Sequence, residues 1–141
     1  MNKMWIIIVA IELCTLAIWD IWKRQLPIVL LMLVTITVLI QCFMGSGSVL
    51  SSIGGGLVGG AFLLLSKLSK EALGYGDSLL ILIIGVQLGF WSLLECLTYT
   101  MFFLGIISLI YLVIKRGRRQ VTIPFIPILA AGYLLTVSMG V

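Results

Sequence analysis

Six runs of apolar residues make up most of this chain, and short polar segments separate them. The runs cover residues 4–19, 27–44, 49–65, 78–94, 96–114 and 123–140. A helix of about 20 apolar residues crosses a bilayer, and somewhat fewer suffice where the bilayer thins. Because the runs are continuous rather than alternating, they favour membrane helices over a membrane β-barrel. The sequence therefore predicts an all-α integral membrane bundle of six transmembrane helices.

The composition excludes a water-soluble globular domain. Of 141 residues, 62% are apolar and 10% are charged, whereas a soluble domain carries roughly 25% charged residues. The length allows one compact bundle, so we expect a single transmembrane domain over residues 1–141. The fourth and fifth runs form one stretch that is too long for a single crossing, and we place the turn between them at residues 90–95.

The basic residues predict the orientation in the membrane, because Lys and Arg are retained on the cytoplasmic side. All nine of them except Lys3 follow the first, third or fifth apolar run. These segments share one side, which we assign to the cytoplasm, so both termini face outward. The net charge of +4 then reflects topology, and no nucleic acid partner is expected. The eight cations are Lys23, Arg24, Lys67, Lys70, Lys115, Arg116, Arg118 and Arg119.

Two acidic residues reach the same membrane surface from different helices. Asp20 lies at the cytoplasmic end of the first run and Asp77 at the cytoplasmic start of the fourth. Carboxylates near hydrocarbon are costly and are usually retained for a function. Taken singly, Asp20 is compatible with an interfacial ion pair to Lys23 or Arg24, and Asp77 with a helix cap.

Together, the two aspartates predict hydrolytic chemistry. Two adjacent carboxylates cannot both ionise cheaply, so one keeps its proton, and the pair can activate a water and protonate a departing amine. The chain has no histidine that could act as the base. Because a helix N-terminus favours the anionic form of Asp77, we expect Asp20 to hold the shared proton, although Lys23 and Arg24 act in the opposite direction.

Two glycines, Gly74 and Gly76, come just before Asp77 at the expected start of the fourth helix. Glycine permits tight turns and allows another backbone to approach closely. A peptide substrate needs such access to the acid pair.

At these residues the chain resembles the type IV prepilin peptidases, which are membrane aspartyl proteases of the Gly-x-Gly-Asp type. Asp20 is followed by a basic pair and then by Pro27, and residues 74–77 carry the Gly-Tyr-Gly-Asp motif after the third run. Residues 123–127, Ile-Pro-Phe-Ile-Pro, open the last run after a basic loop. The resemblance implies that Asp20 and Asp77 are the catalytic residues.

The resemblance also implies a single transmembrane peptidase domain, with Gly74 and Gly76 as motif glycines. Its substrate would be a type IV or tight-adherence prepilin or pseudopilin at the bacterial cytoplasmic membrane. The basic leader is cut after a glycine, just before the apolar helix of the mature pilin, at the cytoplasmic face. No metal and no cofactor are expected, since the acid pair needs none and nitrogen and sulfur ligand clusters are missing from the sequence.

Larger members of the family carry an N-terminal cytoplasmic domain with two Cys-x-x-Cys pairs, which is linked to N-methylation of the processed pilin. This sequence contains no such pair. We therefore expect a short form, and the resemblance lends no support to methyltransferase activity.

Three alternative functions compete with this interpretation. The first two are non-enzymatic: a small membrane carrier, or a scaffold in a pilus or secretion machine. A carrier built from inverted halves should repeat its polar motif, and the second half of this chain has no counterpart of the acidic motif. The third is a related signal peptidase that cuts preflagellins, which only the substrate distinguishes from a prepilin peptidase.

Glu12 lies within the first run and has three interpretations: a third functional group, a protonated residue bonded to a neighbouring helix, or a residue close enough to the outer surface to reach water. The third run also carries small residues at helical spacing. Gly56 and Gly60 lie on one ridge, and Gly55 and Gly59 on a second. Such ridges predict close helix packing, with admission of a substrate helix as the less common alternative.

Overall fold

A computed structural model describes residues 3–23, 27–45, 48–68, 74–115 and 123–140 of the chain. Over these residues the fold consists of six helices, one on each apolar run, which confirms the all-α class. Three of them, the first, third and fifth, are long and apolar enough to cross a membrane. The helices are α1 (Lys3–Lys23), α2 (Ile28–Phe43), α3 (Val49–Leu68), α4 (Tyr75–Leu88), α5 (Phe90–Lys115) and α6 (Phe125–Gly140).

The break between α4 and α5 differs from the prediction. We expected a turn at residues 90–95, but those residues form the first turns of α5 and the break is Gly89 alone. Gly89 has φ of +83°, a left-handed conformation that glycine adopts without the steric cost of a side chain. Its N–H donates to the carbonyl oxygen of Gly85 at 2.9 Å and so ends α4. The prediction of a six-residue turn was therefore wrong.

The central helix of the fold is α4, which packs against α2, α3 and α5. Most of its side chains are buried, including those of Leu80, Ile84 and Leu88. On the other side of the core, α1 packs against α2 and α6, and α6 also contacts α5. Because α4 is enclosed over most of its surface, its N-terminal end has a defined position, and Asp77 lies there.

The closest helix contact, between α3 and α4, depends on glycine. A methyl group on Gly55 would overlap the carbonyl oxygen of Gly85, and one on Gly59 would overlap the backbone of Leu82. The ridge of Gly55 and Gly59 is therefore a packing surface. Gly60, on the other ridge, faces open space, because a methyl group there would have no heavy atom within 4 Å.

Glu12 is bonded to a neighbouring helix, as one of its three interpretations proposed. Thr37 Oγ1 on α2 donates a hydrogen bond of 2.7 Å to Glu12 Oε1 on α1. A second interhelical hydrogen bond of 3.2 Å runs from the hydroxyl of Tyr133 on α6 to Gln87 Oε1 on α4. Such bonds between membrane helices contribute about 0.6 kcal/mol each on average. They join α1 to α2 and α6 to α4 inside the apolar core.

Candidate active site

The two candidate catalytic aspartates lie at opposite ends of their own helices. Asp20 is in the last turn of α1, and Asp77 is in the first turn of α4. Because α4 begins at Tyr75, Gly76 and Asp77 lie inside the first turn rather than before the helix, which corrects the expected boundary at Ser78. In that turn, free backbone N–H groups and the helix dipole favour negative charge.

Asp20 and Asp77 come together in the folded chain. The charge of Asp20 is close enough to act on the carboxyl group of Asp77 and to raise its pKa. Since one aspartate ends α1 and the other begins α4, the close approach results from packing between helices that are distant in sequence. The structure thus brings together the pair that the sequence predicted to share one membrane surface.

Burial raises the pKa of both carboxyl groups. Burial first, and then the nearby charge of Asp20, raise the pKa of Asp77 from 3.8 to about 6, because both disfavour its charged form. Asp20 lies just beyond the apolar run 4–19; burial raises its pKa as well, and a hydrogen bond from the backbone N–H of Ile126 opposes that rise. The pKa values of both carboxyl groups are therefore raised, and the rise at Asp77 favours this residue as the holder of the shared proton, whereas the helix dipole favoured Asp20.

A third helix reaches the site through its N-terminal end. Ile126 is the second residue of α6 and is fully buried, and its N–H donates to the carboxylate of Asp20. The first N–H groups of a helix have no partner within the helix, so this donor is free to hold the carboxylate. In the sequence, residues 123–127 were recognisable only as a motif, and this contact was not predicted. The position of a helix start on the same side as Asp20 was the available signal.

Lys23 does not form an ion pair with Asp20, which was one non-catalytic interpretation of that aspartate. Its ammonium group lies 4.9 Å from the centre of the Trp19 ring, a cation–π contact within α1. Arg24, the other proposed partner, is outside the described residues, as are Lys70, Glu71, Arg116, Arg118 and Arg119.

Gly74 leaves room for the carboxyl group of Asp77. A methyl group on Gly74 would lie 2.9 Å from Asp77 Oδ2, closer than van der Waals contact allows. The carbonyl oxygen of Gly74 also accepts the N–H of Ser78 at 3.1 Å, which begins the hydrogen bonding of α4. The motif glycine therefore has a steric role beside the carboxyl group, in addition to its position before the helix.

If the two aspartates cleave peptides as the sequence predicts, Gly74→Ala is expected to lower the rate about tenfold, the size of effect that a small displacement of a catalytic group produces. The added methyl displaces the end of one flexible side chain, so the amount of folded protein in the membrane should stay unchanged. Gly140→Ala is the matched control, because a methyl group at Gly140 meets no heavy atom within 4 Å. Rates measured on a tagged substrate should fall for Gly74→Ala alone, and equal rates for both variants would contradict the steric role.

Metal ligands do not cluster in the described ranges. No group of three His, Cys, Asp or Glu side chains there could hold a metal ion. The polar groups that the described residues bring to this site are the two carboxyl groups and the Ile126 N–H.

The type IV leader peptidase family matches residues 7–113, a segment that includes both aspartates and both motif glycines. Comparisons with curated proteins and with solved structures found no match. The match covers most of the chain, and the apolar helices α1, α3 and α5 are those of an integral membrane protein. The chain therefore belongs to the type IV leader peptidase family.

Proposed function

We propose that the chain is an aspartic-type endopeptidase that removes the leader of a type IV or tight-adherence prepilin or pseudopilin. The observation that supports this most strongly is the approach of Asp20, in the last turn of α1, to Asp77, in the first turn of α4, within range of its charge. A carboxyl group that keeps its proton beside an ionised one is the arrangement that general acid and base catalysis requires. Membership of a peptidase family favours this function over a carrier or a scaffold.

The two aspartates take complementary roles in the proposed reaction. The Asp20 carboxylate accepts a proton from a water, whose oxygen bonds to the carbonyl carbon of the scissile peptide. Asp77 donates its proton to the carbonyl oxygen, and the resulting diol intermediate is neutral. On collapse, a diol hydroxyl returns a proton to Asp77, the C–N bond breaks, and the leaving nitrogen takes the proton from Asp20. The Ile126 N–H fixes the Asp20 carboxylate during these steps.

The proposed topology places this reaction at the cytoplasmic face of a bacterial cytoplasmic membrane. The C-terminal end of α1 and the N-terminal end of α4 carry the acid pair, and Lys23 follows Asp20 in the last turn of α1. The proposed single domain crosses the bilayer six times with both termini outside. Helices α2, α4 and α6 have 14 to 16 residues and cross where the bilayer is thinned.

The dependence of cleavage on pH tests the acid pair. Because Asp77 must be protonated and its pKa is about 6, kcat/KM should fall about tenfold for each pH unit above that value. Below the pKa of Asp20 the rate should fall again, since Asp20 must be ionised. The measurement uses the purified chain in detergent and a tagged prepilin. A rate that keeps rising above pH 8 would contradict the proposal, and faster cleavage of a preflagellin would support the third alternative.

A further inference from the structure

An open groove of about 480 Å³ runs along the outer surface of α3 and reaches Tyr75 at the start of α4. Its walls are almost entirely apolar, with Leu57, Gly60 and Leu64 along its length and Lys67 near its end. Leu57 and Leu64 are largely exposed in the described part of the chain. The groove is therefore a surface on which another apolar body can lie.

One end of the groove reaches the first turn of α4, the turn that also carries Asp77. Tyr75 lies two residues before Asp77 in the first turn of α4, and Lys67 lies in the last turn of α3. From Lys67 the lining extends back along α3 to Gly56, a length of about 16 Å at 1.5 Å per residue. The groove thus begins at the helical turn that carries Asp77 and continues along the apolar part of α3 for three helical turns.

At Gly60 the surface of the groove carries no side chain. Gly60 meets no heavy atom within 4 Å of an added methyl group, whereas the neighbouring Gly59 is packed against α4. A surface without side chains lets the backbone of a second helix approach closely, as in other membrane helix pairs. Of the two ridges on α3, one is therefore filled by this chain and the other is open at Gly60.

We propose that this groove receives the apolar helix of the substrate, the segment that follows the scissile bond. The inference rests on the proposed function. If Asp20 and Asp77 cut the scissile bond, the apolar helix that follows this bond in the substrate must extend from the site into the bilayer. The groove is apolar, starts at Tyr75 in the same helical turn as Asp77, and runs along α3. The helix would bind at α3 while the basic leader stays outside the apolar region.

Filling the groove tests this proposal. We expect Gly60→Leu to raise KM for a tagged prepilin about tenfold with little change in kcat, because it removes binding and leaves the acid pair intact. Gly105→Leu on α5 is the matched control, since an added methyl there also meets nothing within 4 Å, and it should leave both constants unchanged. A truncated prepilin that retains the leader and cleavage site but lacks the apolar helix should be cut equally by wild type and Gly60→Leu.

Photocrosslinking identifies the occupant without blocking the groove. A photoreactive residue at Leu64 should crosslink to the prepilin helix, and one at the similarly exposed Leu112 of α5 should not. Crosslinks from Leu64 to lipid or to a second copy alone, or an unchanged KM in Gly60→Leu, would overturn the groove proposal. Normal cleavage by Asp20→Asn would instead overturn the proposed function, so the two failures are distinguishable.

Discussion

Asp77→Asn and Asp20→Asn are each expected to reduce leader removal about a thousandfold, within the range that loss of an acid or base catalyst produces. Asparagine keeps the size of the side chain, but in the proposed mechanism it can neither donate a proton in place of Asp77 nor accept one from water in place of Asp20. Processing of a tagged prepilin by purified variants measures the effect. Glu95→Gln makes the same carboxyl-to-amide change at an exposed residue of α5 and should retain activity.

Stability separates loss of catalysis from loss of folding in these variants. The pKa of Asp77 rises from 3.8 to about 6 in the folded chain, so the folded state binds this proton more tightly than the unfolded state does. The resulting contribution to stability is present below pH 3.8 and is lost as the pH rises through about 6. Asparagine does not ionise, so Asp77→Asn does not lose this stability at high pH and should melt at a higher temperature than wild type at pH 7.5. A lower melting temperature would mean that inactivity reflects misfolding.

Gly55→Ala is expected to lower the free energy of unfolding by about 3 kcal/mol, at the upper end of the usual cost of overpacking. The new methyl would overlap the carbonyl oxygen of Gly85, and a backbone atom cannot move aside as a side chain does. The whole contact between α3 and α4 must then shift, and Asp77 shifts with α4. Thermal melting in detergent measures the loss, and leader cleavage should fall with it.

Gly60→Ala is the matched control for this prediction. It lies five residues further along α3, in the same helix and with the same change of residue, but its added methyl meets open space. An exposed helix position gains about 0.5–1 kcal/mol from Gly to Ala, so its melting temperature should stay the same or rise. Similar destabilisation in both variants would show that helix propensity, not the α3–α4 contact, controls stability.

The helices could be predicted from the sequence because each corresponds to a long apolar run. The break between α4 and α5 could not be placed, because the stretch around it carries almost no charge and polar composition gives no boundary there. Gly89 was the only local signal, and its left-handed conformation becomes decisive only when neighbouring helices fix the direction of the chain. The aromatic residues after it, Phe90 and Trp91, belong to α5.

The acid pair could also be predicted, since alternating crossings put the end of α1 and the start of α4 on one side. The sequence could not predict which aspartate holds the shared proton. The helix dipole is a local property, whereas desolvation depends on how deeply tertiary packing buries each side chain. Asp77 lies in the first turn of a helix enclosed by three others, and this burial acts against the local preference for its anionic form. The contact from Ile126 to Asp20 likewise joins residues at the two ends of the sequence.

The intact mass of a tagged prepilin, co-expressed with the chain, tests the proposed function most directly. With wild type, we expect a mature product that begins immediately after a glycine, at the junction of the basic leader and the apolar helix. The double variant Asp20→Asn/Asp77→Asn should leave the prepilin at its full mass while reaching the same level in the membrane. A full-length prepilin in the presence of wild type, or equal processing by the double variant, would contradict an aspartic leader peptidase.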